Sequence, residues 1–283
     1  MNYFNEKVER MDREELKKLQ LERLKKTVER CYYNVPFYKE KLDSVGMTPE
    51  KFTSLEDLKE IPFTTKADIR DHYPYGLFAA PMKEIVRLHA SSGTTGKPTV
   101  VGYTRNDLKM WAEAMSRLLV AAGLTEDDIV QVSFGYGLFT GAFGLHYGIE
   151  NVGATVVPTS SGNTEKQVML MKDFGTTALV GTPSYAIHMA EVAEQMGVKK
   201  EDLKLRLGFF GAEASTEEMR AELEKRWGIL ATENYGMSEL VGPGVAGECI
   251  YKKGMHINED LFIPEIIDPA TGEVLPYGEK GEV

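Results

Sequence analysis

The sequence predicts an α/β fold: a parallel sheet covered by helices, with a helical leader before it and a small antiparallel β region after it. Three observations carry that prediction. From Asp128 onward, short apolar runs alternate with longer amphipathic segments. The amphipathic segments bring their own punctuation: Thr182-Pro183 places a cap and a first-turn proline, and Gly197 closes that helix. Likewise Ser215 with Glu218 reads as a capping box, and Gly228 closes the next helix. Finally, 283 residues at 42% hydrophobic content suffice for a sizeable core.

Taken in order, Glu14 to Tyr33 is helical, because Leu21, Leu24, Val28 and Cys31 recur at three- and four-residue steps. Pro36 ends that helix, and shorter ones follow at Pro49 to Leu58 and Lys66 to Tyr73. The dense aromatic residues of this leader (Tyr32, Tyr33, Phe37, Tyr38, Phe52, Phe63) read as anchors for its helices. Strands Glu84 to His89 and Thr99 to Tyr103 pair, and Thr104 with Asp107 caps a helix that stops at Gly123. The alternating region then reads strand Ile129 to Phe134, helix after Gly144, strand Thr155 to Pro158 and helix Thr164 to Phe174. It continues with strand Thr177 to Val180, helix Pro183 to Met196, strand Leu205 to Phe210, helix Thr216 to Trp227 and strand Leu230 to Asn234. From Val241 the chain is rich in Gly and Pro, with strand-like pieces at Cys249 to Tyr251, Ile263 to Ile267 and Glu273 to Leu275. Asp268-Pro269 and Thr271-Gly272 mark the turn between the last two. The expected organisation is a leader over 1–80, a binding core over 81–240 and the start of a β subdomain over 241–283.

The formal net charge of −10 argues against nucleic acid or an anionic membrane as the main partner. No apolar run reaches the length of a membrane span, and the polar start from Met1 to Glu15 does not read as a signal peptide, so a cytoplasmic chain is expected. Cys31 and Cys249 offer no disulfide framework, while Cys249 and His256 as a zinc pair is weak for want of further ligands.

Chemistry concentrates first in Ser91-Ser92-Gly93-Thr94-Thr95-Gly96-Lys97-Pro98-Thr99, between the apolar runs Ile85 to Leu88 and Val100-Val101. Glycines let the backbone approach an anion, and hydroxyls with an ammonium add donors, so the loop suits a polyphosphate. It is not a P-loop: only Thr94 and Thr95 separate the glycines, and Pro98 follows the lysine. A plain surface turn is the competing reading. In parallel sheets ligands sit beyond the carboxyl ends of the strands, here the loops after Phe134, Val180, Phe210 and Asn234. Three of these are unusual: Gly135 to Gly144, Gly211-Ala212-Glu213, and Tyr235-Gly236-Met237-Ser238-Glu239.

The Ser91–Pro98 stretch resembles, at every position, the phosphate-binding signature of the adenylate-forming enzymes, the acyl-CoA synthetase superfamily. Tyr235 to Glu239 resembles that family's second signature, and Gly211-Ala212-Glu213 its adenine-side loop. The leader, with Val35-Pro36-Phe37-Tyr38 and Thr64-Thr65-Lys66, and the aromatic loop with Gly141 and His146-Tyr147-Gly148, are similar to the phenylacetate–CoA ligase branch. Where many members continue with Pro-Trp after the adenine loop, this chain has Ala214-Ser215, a departure at the wall of the acid pocket.

The resemblance implies the large domain of an enzyme that joins an aryl acid such as phenylacetate to coenzyme A through an acyl-adenylate, consuming ATP with Mg2+. It implies ATP contacts from Ser91, Ser92, Gly93, Thr94, Thr95, Gly96, Gly211, Ala212, Glu213, Asn234, Tyr235, Gly236, Met237 and Ser238. Lys97, Ser238 and Glu239 are the implied catalytic residues, with Glu239 holding magnesium; a carboxylate beside a triphosphate needs a cation between them. Glu239 as a cap of the following loop, and Glu213 as partner of a helix dipole, are the competing readings. Tyr136, Phe139 and Phe143, with room made by glycines and Gly211, suit the aryl ring, although a buried aromatic turn fits them nearly as well. His146 is a further candidate for the pocket. The chain breaks off at Val283 inside what reads as the start of a strand, so a truncated domain is expected, one that alone binds ATP weakly and turns over poorly. The family's mobile carboxyl-terminal domain, with its lysine, and the ribose-binding aspartate would lie beyond. A homodimer is compatible with all of this. The alternatives are an adenylyltransferase acting on a deazaflavin, or a non-catalytic nucleotide-binding module.

Overall fold

The computed structural model describes residues 2–91 and 97–283, which divide into two compact units. One gathers Arg10–Met82 with Asn258–Val283; the other gathers Met1–Glu9 with Lys83–Ile257.

In the first unit, helix α2 (Arg13–Asn34) starts where the Asp12 carboxylate accepts the Glu14 amide; the short α1 (Glu6–Glu9), earlier in the chain, belongs to the other unit. Pro36 stops α2 by opening α3 (Pro36–Ser44) at its first position. Val28, Leu42, Met47 and Phe52 form the core, with Leu21, Leu24 and Tyr32 packed against it, so Phe52 and Tyr32 anchor helices as expected, while Tyr33 and Phe63 are exposed and do not. The helix expected at Pro49 to Leu58 is instead a 3-10 turn, Leu55–Glu60. The Asp57 carboxylate accepts the Thr53 and Ser54 amides, which delays the turn to Leu55. Helix α4 (Lys66–Asp71) has the Thr65–Asp68 capping box. Arg23 ties α2 to the 258–283 segment through the Asp260 carboxylate at 2.9 Å, and the strands expected at Ile263 to Ile267 and Glu273 to Leu275 are reduced to a single bridge, Ile267 with Val274, across the expected turn.

The second unit carries the sheet. A hairpin of β1 (Ile85–Ala90) and β2 (Val100–Thr104) leads into α5 (Arg105–Ala121), with the Thr104–Asp107 box in place. Then follow β3 (Ile129–Val132), α6 (Thr140–Val152), β4 (Thr155–Val157), α7 (Thr164–Asp173) and β5 (Ala178–Gly181). After α8 (Pro183–Gln195) come β6 (Leu207–Phe210), α9 (Glu217–Trp227), β7 (Leu230–Met237), β8 (Gly242–Glu248) and β9 (Met255–Ile257). The sheet order is β4-β3-β5-β6-β7-β8-β9; the first five strands are parallel and the last two joins antiparallel. Successive residues of a strand face opposite ways, so Ala178 and Val180 enter the core under α5 and α6, while Leu179 enters the core under α7, α8 and α9.

Two expectations shift here. Cys249 to Tyr251 is a turn, because the strand lies just before it in β8, which also carries the sheet past position 241. Helix α6 begins at Thr140, before Gly144 rather than after it. Its glycines are contact points: a Cβ at Gly144 would lie 2.5 Å from the Trp111 ring, and one at Gly148 2.5 Å from Met115. They let α6 approach α5 closely, which sequence composition alone makes look like a loop.

At the amino-terminal edge of the sheet, buried Asp128 accepts from Thr125 N–H, Thr177 Oγ1 and Arg206 Nε at 2.8, 2.6 and 3.0 Å. Burial alone would raise this carboxyl; Arg206 and the two threonines outweigh it and hold the pKa below the usual aspartate value. Its contribution is therefore complete above about pH 4 and is lost as pH falls through the depressed pKa. Asp128→Ala is expected to cost about 2 kcal/mol in urea unfolding at pH 7, since the bonds are lost but Arg206 can reach water. The difference from the native chain should shrink below pH 4.

Candidate active site

The neck of the Ser91–Thr99 loop is closed by two hydrogen bonds of 2.9 Å, from Ser91 N–H to Thr99 O and from Thr99 N–H to Ser91 Oγ. Ser92, Gly93, Thr94, Thr95 and Gly96 lie outside the described residues; Lys97, on the return limb, is exposed. Thr99 is 1% exposed and donates its hydroxyl to Glu239 Oε1 at 3.3 Å. Two motifs 140 positions apart in sequence thus touch.

The Tyr235–Met237 step, expected as a loop, is the end of β7. It stays extended because β8 pairs with it, Tyr235 opposite Ala246 and Met237 opposite Gly242. Extended backbone turns Tyr235 and Met237 to one side, both exposed, so Tyr235 offers a flat ring to solvent. Ser238–Leu240 then makes a 3-10 turn, and Val241 sits at φ +75°, a conformation that a β-branched residue rarely adopts. Two side chains hold that corner: Tyr103 donates its hydroxyl to Val241 O at 2.8 Å, and Trp111 donates Nε1–H to Pro243 O at 2.6 Å. Their rings stack 5.0 Å apart. Burial raises the Tyr103 pKa far above the usual phenol value, so it remains a donor. The corner fixes Glu239, and the Ser238 hydroxyl lies 3.5 Å from Thr140 Oγ1 at the start of α6.

On the other side, Gly211 is buried at the end of β6, where a Cβ would lie 2.7 Å from Asn234 O. Asn234 Nδ2 donates to Phe210 O at 2.8 Å, joining these two loop starts. Exposed Ala212 has φ +69°. The Glu213 carboxylate accepts the Ser184 amide at 2.6 Å, at the start of α8 rather than of the helix that follows it. Its helix-dipole reading therefore has a concrete partner, on a different helix. Ser215 is not the cap of α9: its hydroxyl donates to Glu233, and Thr216 accepts the Met219 amide instead, one residue later.

Tyr136 and Phe143 meet edge to face at 5.2 Å, both half-buried. Phe139 parts from them; it is exposed and packs on Phe134 and over Gly141. Tyr136 donates its hydroxyl to His146 Nδ1 at 3.0 Å, and His146 Nε2 faces Glu150 at 3.2 Å. Burial, reinforced by Glu150, raises the Tyr136 pKa, so the phenol stays protonated. Two further residues support this wall, Arg87 and His89. The Arg87 guanidinium lies over the rings of Tyr147 at 4.6 Å and Phe143 at 5.3 Å. Buried His89 donates from Nδ1 to Leu138 O at 3.0 Å, and Ala90 N–H shares that acceptor. The phosphate hairpin and the aromatic loop are thereby fastened together. Burial keeps His89 neutral by lowering its pKa. Thr99, which holds Glu239 and not this wall, is hidden in sequence as the last hydroxyl of a hydroxyl-rich run.

Among the described residues, no group of three or more His, Cys, Asp or Glu is placed to hold a metal ion, and Cys249 is buried while His256 is exposed. A single carboxylate such as Glu239 would need substrate phosphates to complete a magnesium site. No helix among the described residues is long and apolar enough to cross a membrane.

Known proteins resemble this chain over nearly its whole length. The family model described as AMP-binding enzyme matches residues 15–283. The chain is 55% identical over 269 residues to a phenylacetate-coenzyme A ligase of Pseudomonas putida, covering 95% of this chain and 61% of that protein. It is 52% identical to the phenylacetate-coenzyme A ligase of Thermus thermophilus, over 98% of this chain and 63% of that protein. The crystal structure of a 2-hydroxyisobutyryl-CoA ligase in complex with 2-HIB-AMP and CoA superposes with a TM-score of 0.92 at 30% identity, over 99% of this chain and 61% of that one. The chain thus spans less than two thirds of the length of these relatives.

Proposed function

We propose that this chain, which belongs to the AMP-binding enzyme family, carries the nucleotide- and acid-binding part of a ligase joining phenylacetate, or a related aryl acid, to coenzyme A. The observation that carries the reading is the contact of Thr99 with Glu239, which joins the loop built for phosphates to the acid built for their cation. Around it, Tyr235 offers a ring for the adenine, and the Ser238 hydroxyl is placed to donate to the α-phosphate. Tyr136 and Phe143, backed by Arg87, form the wall for the aryl ring. Lys97 and the loop ahead of it would embrace the outgoing pyrophosphate.

In the first step a carboxylate oxygen of the acid attacks the α-phosphorus, the bond to the β-phosphate breaks, and pyrophosphate leaves. In the second the thiol sulfur of coenzyme A attacks the acyl carbon and AMP leaves. This chain's residues act by placement and by donors aimed at the phosphates. Magnesium, held by Glu239, would supply charge neutralisation there.

Phenylacetate-dependent exchange of label between pyrophosphate and ATP tests the reading. Exchange that requires the acid is expected; exchange indifferent to phenylacetate and to other aryl acids would contradict it.

A further inference from the structure

Helix α7 carries, against the loop that joins it to β4, a side chain with no part in the chemistry above. Gln167 is 2% exposed yet uses its whole amide. Its Oε1 accepts from Ser133 Oγ at 2.7 Å, Thr159 Oγ1 at 3.1 Å and Gln131 Nε2 at 3.3 Å. Its Nε2 shares two hydrogens among Gly162 O at 2.7 Å, Ser160 O at 2.9 Å and the Tyr185 hydroxyl at 3.0 Å. One side chain thus joins the end of β3, the 159–163 loop and α8.

The loop it grips is unusual. Ser160 (φ +64°), Gly162 (φ +83°) and Asn163 (φ +48°) are all left-handed, and two of them are not glycine. Such residues persist where the surroundings over-determine them. The two carbonyls that Gln167 holds belong to Ser160 and Gly162. What the conformation achieves lies on the loop's other side, where Ser160 Oγ accepts the Tyr136 amide at 3.3 Å. Ser161 Oγ would stand 3.2 Å from a Cβ at Gly135, so the loop lies directly against the base of the aromatic wall.

We infer that Gln167 is a positioning residue for the acid-binding wall, acting through the left-handed Ser160 on the backbone of Tyr136. This rests on the reading of the Tyr136 loop as the wall of the aryl pocket. The nucleotide corner at Thr99 and Glu239 has its own supports, Tyr103 and Trp111, so Gln167 should govern acid and not nucleotide.

Calorimetric titration of the chain with phenylacetate, in the presence of magnesium and an α,β-methylene analogue of ATP, tests this. Four proteins are compared: native, Tyr136→Ala, Gln167→Met and Ser160→Gly. Ser160→Gly carries the decision, since glycine accepts the left-handed backbone while removing the CH2OH group under Tyr136. Ser160→Gly and Gln167→Met are each expected to weaken phenylacetate about tenfold, the size of one lost hydrogen bond, with the analogue's Kd within about twofold. Weakening of acid and nucleotide alike, or of neither, in Ser160→Gly, or unchanged phenylacetate binding in Gln167→Met, overturns the inference while Tyr136→Ala still weakens phenylacetate. If Tyr136→Ala itself leaves phenylacetate binding unchanged, the wall is misassigned and the inference falls with it.

Discussion

Glu239→Gln is expected to lower phenylacetate-dependent ATP–pyrophosphate exchange by about 10²–10³-fold, the usual cost of removing one preorganised electrostatic contact from a phosphate or oxyanion site. The substitution keeps size and an oxygen that can still accept from Thr99, so the geometry of the corner survives. What it removes is the negative charge facing the phosphates, and a neutral amide holds magnesium poorly. Two outcomes then separate charge from shape. Thermal unfolding should move little, while the magnesium concentration needed for half-maximal exchange should rise. Exchange within about threefold of native at saturating magnesium would assign Glu239 to capping its own turn, the bland reading of this residue.

Gly236→Ala is the second large effect, and it acts through backbone. A Cβ at Gly236 would lie 2.0 Å from Gly242 O and 2.6 Å from Pro243 Cα. Neither atom is the tip of a flexible side chain, so β7 and β8 must separate at the register shift between Tyr235 and Gly236. Overpacking of this kind costs about 3 kcal/mol, measurable by urea unfolding. The opening would fall between Tyr235 and Ser238, so nucleotide binding should be lost along with stability. A stable variant that binds ATP normally would mean that the two strands are not held as tightly as described.

These two residues also show what was legible in the sequence and what was not. The alternation of strands and helices was readable because each helix brings its own start and stop, as Thr182-Pro183 and Gly228 do for α8 and α9. The parallel sheet and the loops at its carboxyl edge followed from that alternation. Glycine misled wherever it serves close approach and not a turn: Gly144 in α6 and Gly236 in β7 looked like loop residues, yet each sits in a regular element pressed against a neighbour. Capping was misplaced by one residue at Ser215, because Thr216 offers the same hydroxyl and Glu233, distant in sequence, claims the serine.

At the candidate site, the residues whose chemistry is local were visible: Ser238 and Glu239 in their motif, Tyr136 and Phe143 among glycines. Those that act by holding others were not. His89 fastens Leu138, Tyr103 holds a left-handed Val241 and Arg87 lies under two rings, all through contacts between elements far apart in the chain. Periodicity and composition carry no trace of such contacts. The strain at Val241 was equally invisible, since nothing in a Leu-Val-Gly-Pro run announces a positive φ at valine.

The central claim, that phosphates, magnesium carboxylate and aryl wall share one rim of the sheet, meets its most direct test in a crystal structure of this chain with a non-hydrolysable mimic of phenylacetyl-adenylate. The expected density puts adenine on Tyr235, the bridging group beside Ser238 and the Thr99–Glu239 corner, and the phenyl ring against Tyr136 and Phe143. A mimic bound with its phenyl ring away from Tyr136, or with its bridge remote from Glu239, would contradict the account.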